Sequence, residues 1–248
     1  MTWRVVMCIV GMAGLTGCTG SESAETVTVS AASSLTDAFE VLTGEFTASH
    51  PDVDVELAFG SSSSLAAQIE EGAPADVFVS ASPEVMEDLV EADHTSGPTT
   101  ALVRNRLSIA VKPGNPQDVR SLADLRRLGV VALCARDAPC GELATRMLER
   151  AGVVIDDRRV SRAPNARATL PAVAAGDADA AIVYVTDVMA SGDSVTPVEI
   201  PDPRNVVTEY VIAVLANAEP SDLARQFVEF VTSERERTVY AELGFLAE

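Results

Sequence analysis

Apolar positions recur along this chain in two alternating periods. Thr26–Ser30, Val53–Phe59 and Asp76–Ser80 read as short strands. Between them, Leu35, Ala38, Phe39, Leu42 and Phe46 share one face and predict a helix from about Leu35 to Ser49. That helix closes at His50-Pro51, because the residue before proline avoids the α region. Leu65 and Ile69 begin a second helix, and Gly72-Ala73-Pro74 is a turn. Ser82-Pro83-Glu84 opens a third, with an N-cap serine, a proline at the first position and an acid in the first turn.

The alternation then pauses near 99–104 and resumes with Leu107, Ile109 and Val111 in a strand closed by Lys112-Pro113-Gly114. Ser121-Leu122-Ala123-Asp124 has the spacing of a capping box. A strand at Val130–Leu133 leads into the Cys134–Cys140 loop, and Gly141 opens a helix carrying Leu143, Met147 and Leu148. Asn165-Ala166-Arg167 starts another with Leu170, Val173 and Ala174 on one face; Pro171 should kink it or shift its start. Ala180–Val185 and Val206–Leu215 are strands, the first with Tyr184 near its end. Two helices close the chain, one capped by Ser221 and one by the box Ser233–Glu236. Repeated β–α alternation with pauses near 99–104 and 201–207 predicts an α/β protein of two doubly wound lobes joined by two crossing segments.

Composition sharpens this picture. The 248 residues are 47% apolar but only 4% aromatic, so the core is built from Ala, Val, Leu and Ile. The formal charge of −19 argues against nucleic acid and against a basic membrane-docking face. It does not oppose a small anion held by neutral dipoles.

Two serine-rich turns offer such dipoles: Ala31-Ala32-Ser33-Ser34-Leu35-Thr36 and Gly60-Ser61-Ser62-Ser63-Ser64-Leu65. Each follows a strand and runs into a helix. The first N–H groups of a helix lack an intrahelical partner, and the dipole there favours negative charge. Two such turns side by side would make an anion pocket. The competing reading is that these serines are ordinary N-caps serving their own helices. A serine hydrolase is a rival of another class, but Gly60-Ser-Ser-Ser-Ser lacks the second glycine of a nucleophile elbow and neither His50 nor His94 sits in a motif.

The N-terminus reads as a targeting segment. Arg4 is the positive region, Val5–Leu15 is an apolar stretch too short to span a bilayer, and Leu15-Thr16-Gly17-Cys18 resembles a bacterial lipobox. Residues 1–17 are then a signal peptide, Cys18 the lipidated residue, and 18–25 a polar tether. Removing residues 1–17 takes only Arg4 among the charged groups, leaving −20. Cys134 and Cys140 are predicted to pair as a disulfide closing a small loop, with two free thiols as the alternative. Asp76 reads as a structural turn residue rather than a metal ligand, and Arg167 as a solvated first-turn residue or a salt bridge to the acidic surface rather than a charged ligand.

Four separated motifs in order, Val29-Ser-Ala-Ala-Ser-Ser34-Leu-Thr, Phe59-Gly-Ser-Ser62-Ser-Ser-Leu-Ala-Ala-Gln-Ile69, Gly72-Ala-Pro-Ala-Asp-Val-Phe-Val-Ser80 and Gly176-Asp-Ala-Asp-Ala-Ala-Ile-Val-Tyr184, resemble the molybdate-binding proteins of ABC importers. The resemblance implies a type II periplasmic-binding-protein fold with the ligand in the cleft between lobes. It divides the chain into 26–103 with 207–248 as lobe 1 and 104–206 as lobe 2. By motif it implies Ser34 and Ser62 as hydroxyl and backbone donors, Cys140 and Ala166 as backbone donors, and Tyr184 as a phenol donor. Three departures from the family pattern stand here: Cys140 where another small residue is common, Ala166 where valine is frequent, and Pro171 inside the Ala166 helix.

The implied function is a lipid-anchored binding protein on the outer face of the cytoplasmic membrane. It would capture molybdate or tungstate as a monomer and hand it to an ABC permease and its ATPase, with no cofactor, no directly ligated metal ion and no chemistry. Sulfate or another small oxyanion is the alternative cargo. Molybdate, tungstate and sulfate are pure acceptors at neutral pH, so a site of donors alone suits them, whereas phosphate retains a proton that asks for an acceptor.

Overall fold

The computed structural model describes residues 24–219 and 221–246. The lipobox, Cys18 and most of the tether lie outside them.

The elements run β1 (Glu25–Ala32), α1 (Thr36–Ser49), β2 (Val53–Gly60), α2 (Ser62–Glu70), β3 (Val77–Ser80), α3 (Pro83–Glu91), β4 (Thr100–Val111), β5 (Val131–Cys134), α4 (Pro139–Arg150) and β6 (Val160–Ala163). They continue with α5 (Ala166–Thr169), α6 (Pro171–Ala174), β7 (Ala180–Tyr184), α7 (Val185–Ala190), β8 (Thr196–Val198), β9 (Val207–Val214), α8 (Ser221–Val231) and α9 (Arg237–Glu242). The strands are ordered β2-β1-β3-β9-β4-β7-β5-β6, with β8 on β4.

β4 divides this sheet into two α/β halves. Its first part, Thr100–Arg106, pairs antiparallel with β9, and its last part, Leu107–Val111, pairs antiparallel with β7. β1 lies parallel between β2 and β3 in one half, and β5 parallel between β6 and β7 in the other. The inner strands β3, β5 and β7 are buried along their whole length, which explains their continuous small-apolar sequences such as Val77–Ser80 and Ala180–Tyr184. β4 alone pairs into both halves; β9 pairs with β3 and with the first part of β4.

The C-terminal helices return to the first half. Phe227 on α8 meets Phe39 and Phe46 of α1 edge-on, with ring centroids 6.1 and 5.2 Å apart. Each such buried ring contributes about 1.5–3 kcal/mol of transfer free energy, so the few aromatics are concentrated where this return must hold. Asp76 is structural, as read from its turn: it accepts the Thr28 N–H at 2.7 Å and the Glu219 N–H at 2.9 Å, stapling β1 to the chain after β9.

Several elements differ from the sequence reading. β4 is a twelve-residue strand, so the pause near 99–104 is its first part. β6, β8 and α7 escaped notice because each is short, and β6 and β8 are only partly buried and lack a clear period. α4 opens at Pro139, two residues before Gly141, since proline suits the first helical position. Pro171 leaves the start at Ala166 in place and splits the expected helix into α5 and α6. The Ser121 box yields a 3-10 turn, Leu122–Arg127, because the Ser121 hydroxyl donates to Asp124 at 2.9 Å instead of accepting from the backbone. Ser233 makes no capping bond either, and a 3-10 turn precedes α9.

Candidate functional site

Five segments end at one place. β1, β2, β5, β6 and β7 all point their carboxyl ends toward the gap between the halves, where ligands of open α/β sheets bind. The segments that follow them supply Ser34, Ser62, Cys140, Ala166 and Tyr184. These five, with Ser33, Ser61 and Asn165 among others, line a single small cavity. All five are buried, none above 5% exposure. No acidic side chain lines the cavity.

Local structure presents donors to it. Ser62 is the first residue of α2, Cys140 the second of α4 and Ala166 the first of α5, so none of their N–H groups has an intrahelical partner. Ser62 Oγ accepts the Ala81 N–H at 2.9 Å, which leaves its own proton free to donate. Ser34 Oγ lies 2.7 Å from the Tyr210 hydroxyl. Two buried hydroxyls in the wall, Ser61 and Tyr184, have no hydrogen-bond partner of acceptable geometry among the described residues. Each such orphan costs about 1–3 kcal/mol unless a ligand or water meets it. Ser61 occupies the N-cap position of α2 yet makes no capping bond, whereas Ser82 caps α3 by accepting the Val85 N–H. The N-cap explanation therefore fails at α2 and holds at α3. Burial pushes the Tyr184 phenol well above its ordinary value, so it stays a donor at any physiological pH.

The rim is tied across the gap. Cys134 and Cys140 are joined by a disulfide, which fixes the loop that leads into α4. Ser63 on α2 donates to the Asp137 carbonyl of that loop at 2.6 Å. Arg167 on α5 forms a two-pronged ion pair with Asp37 on α1, at 2.5 and 2.9 Å. Hydrogen bonding to Arg167 holds the Asp37 carboxyl below its ordinary value. Of the two sequence readings of Arg167, solvated or salt-bridged, the structure shows the salt bridge; that it joins α5 to α1 was not foreseen.

Sequence reasoning also missed a polar cluster behind the cavity. Tyr210 and Asn105 are wholly buried on β9 and β4, and Asp187 is buried in the first turn of α7. Burial pushes the Asp187 carboxyl up to about 7, against the pull of Arg167. The available signal was a polar residue at an inward position of an apolar strand, Asn105 between Val103 and Leu107.

Wider hollows of about 530 and 580 Å³ lie elsewhere, rimmed by Arg120, Arg150 and Arg204 in one case and by Glu87, Glu91 and Glu209 in the other. Neither is lined by a buried hydroxyl without a partner. No group of three or more metal-ligating side chains occurs among the described residues, and no helix among them is long and apolar enough to cross a membrane. His50 stacks on Phe46 and His94 lies beside a different hollow, so neither serves Ser34 or Ser62 as a base.

A family model described as bacterial extracellular solute-binding protein matches residues 27–246. The molybdate-binding protein ModA of Mycobacterium tuberculosis is 38% identical over 223 residues, covering 90% of this chain and 85% of that protein. Among solved structures, the periplasmic molybdate-binding protein of Azotobacter vinelandii matches with a TM-score of 0.78 at 20% identity, over 90% of this chain and 99% of that one. The sulfate-binding protein SubI of Mycobacterium tuberculosis matches with a TM-score of 0.79, also at 20% identity, over 89% of this chain and 86% of that one. These two structures speak to the periplasmic-binding-protein fold alone. The relatives are binding proteins, not enzymes, which removes the hydrolase alternative. The chain belongs to the bacterial extracellular solute-binding proteins and, within them, to the molybdate-binding group.

Proposed function

We propose that this chain is the substrate-binding component of an ABC importer and captures molybdate or tungstate. The observation that carries the proposal is a cavity at five strand ends, lined by hydroxyls and helix starts and by no carboxylate. Ser34, Ser62 and Tyr184 donate through side chains, Ser34, Ser62, Cys140 and Ala166 through backbone N–H groups. Every oxygen of a fully deprotonated oxyanion accepts, so such a wall leaves no group unpaired. A smaller ion would leave donors unmet at about 1–3 kcal/mol each, which is the basis for size selection against sulfate.

Residues 26–103 with 207–248 form one lobe and 104–206 the other, and the ligand stabilises their closed arrangement by its higher affinity for it. The protein is a monomer tethered through lipidated Cys18 to the outer face of the cytoplasmic membrane, and it delivers its cargo to a permease and ATPase.

Thermal unfolding with excess molybdate, tungstate, sulfate or phosphate tests this. A hundredfold excess over the dissociation constant stabilises the protein by about 2.7 kcal/mol, raising Tm by roughly 5–10 °C. Molybdate and tungstate should do so and sulfate should not. A shift with sulfate alone would reassign the cargo, and no shift with any of the four would end the oxyanion reading. Ser34→Ala and Ser62→Ala should each weaken molybdate roughly 10- to 100-fold, since a hydrogen bond to a charged group contributes about 1.5–3 kcal/mol. Reducing the Cys134–Cys140 bond should weaken binding a few fold by loosening the loop that presents the Cys140 N–H; calorimetric titration with and without reductant measures this.

A further inference from the structure

The turn Gly60–Ser64 holds a run of serines whose hydroxyls go different ways. Ser62 Oγ accepts the Ala81 N–H, Ser63 Oγ donates to the Asp137 carbonyl, and Ser64 is exposed. Ser61 is 7% exposed, and its hydroxyl is buried with no hydrogen-bond partner among the described residues. Its backbone has the extended conformation of an N-cap, at φ −69° and ψ 136°, and its carbonyl accepts the Leu65 N–H at 2.9 Å. Every part of a cap is in place except the side-chain bond, which Ser82 does make at the start of α3. A buried hydroxyl that neither caps nor pairs has given up water without replacing it. Tyr184 carries the same mark, a buried and unpartnered hydroxyl in the wall of the same cavity. Ser61 enters that wall between β2 and α2 in the first half, Tyr184 at the end of β7 in the second. No acidic side chain lines the cavity. Two unmet hydroxyls from opposite halves, lining one space without a carboxylate, call for an acceptor brought from outside the chain.

We propose that Ser61 is a further oxyanion ligand, donating its hydroxyl proton to the bound ion beside Ser62. The inference rests on the oxyanion reading of the cavity and deepens it by adding a donor to those already read there. Each oxygen of a tetrahedral dianion has more than one lone pair, so the ion can accept this bond together with the others. An unpaired hydroxyl is also a cost that the empty protein carries and that binding removes. Deleting it should therefore lower affinity while leaving the ligand-free fold as stable as before or more so. A capping serine behaves otherwise, because its loss destabilises the helix start whether or not an ion is bound.

The test pairs calorimetric titration with molybdate and thermal unfolding of the ligand-free protein, both at fixed pH. Ser61→Ala should weaken molybdate roughly 10- to 100-fold, the range for a hydrogen bond to a charged group. Its ligand-free melting temperature should stay level or rise, because the deleted hydroxyl had no partner. Ser82→Ala supplies the contrast, since it removes a cap that is made. Its ligand-free melting temperature should fall by roughly 2–4 °C. Ser61→Gly also deletes the hydroxyl, at a helix position that tolerates glycine, and stands in if Ser61→Ala does not fold. Unchanged molybdate affinity in a folded variant would overturn the proposal. So would a ligand-free melting temperature that falls as far as that of Ser82→Ala, because the hydroxyl would then be a working cap. Failure of the unaltered protein to bind any oxyanion would instead overturn the reading of the cavity, and the inference with it.

Discussion

Gly141→Ala is expected to lower the melting temperature by roughly 6–12 °C and to abolish oxyanion binding. A Cβ built on Gly141 would lie 1.9 Å from the Ala135 carbonyl oxygen, 2.9 Å from its carbon and 3.0 Å from the Cys134 carbonyl oxygen. All three obstacles are backbone, so no side chain can swing aside. The disulfide holds Cys134 to Cys140 and blocks the retreat of the loop. Over-packing of a tight contact costs about 1–3 kcal/mol and more where nothing yields, and each kcal/mol moves Tm by roughly 2–4 °C in a chain of this size. The displaced first turn of α4 carries the Cys140 N–H away from the cavity, so binding is lost even in molecules that stay folded. Calorimetry of the variant with and without molybdate measures both. An unchanged melting temperature would mean that this turn is not packed as described.

The second large effect concerns acidity. Asp187 is buried, its two carboxyl oxygens have no hydrogen-bond partner of acceptable geometry among the described residues, and its carboxyl is pushed up to about 7 from an ordinary 3.8. Its surroundings are Arg167 on α5, Asp37 on α1 and the phenols of Tyr184 and Tyr210. Because the folded-state value is the higher one, the neutral form belongs to the fold. The stability tied to this group is complete below pH 3.8, declines as pH rises and is lost above about 7. A carboxyl raised that far corresponds to ~4 kcal/mol across that window. Asp187→Asn should remove this slope, so the stability gap between the two proteins should change between pH 4 and pH 7 and stay constant above it. Denaturant unfolding at several pH values reads this directly, and parallel curves would rule out Asp187 as the titrating group. A bound dianion would raise the carboxyl further, so oxyanion binding near pH 7 should take up protons and tighten as pH falls.

Much of this was legible in the residues. The serine turns could be read because strand, small-residue turn and helix leave a local trace in Val29–Thr36 and Phe59–Ile69. Ala166 and Cys140 were placed only through the family resemblance; Asn165 does announce a helix start, but the local sequence put the next helix start at Gly141, not at Pro139 where the structure has it. The polar cluster behind Ser34 was not legible. Asn105 and Tyr210 lie 105 residues apart, and a polar side chain in an apolar strand says that a partner exists without saying which one. Ser61 was hidden for another reason: from sequence, an N-cap serine that caps and one that does not are identical. The ion pair of Asp37 with Arg167 spans 130 residues, and nothing in either local sequence marks the other.

That ion pair bears on timing. Its side chains are 36% and 37% exposed, so dissolved ions reach and screen it, and at rest it adds little to overall stability. Yet in the proposed opening of the two lobes this pair, which joins α1 to α5, would have to break. A contact that must be undone on the way out acts on the escape rate, and this one weakens as the surrounding medium grows saltier. On the proposed opening of the cleft, the residence time of the cargo should therefore shorten as the ionic strength around the protein rises, through two side chains outside the cavity lining.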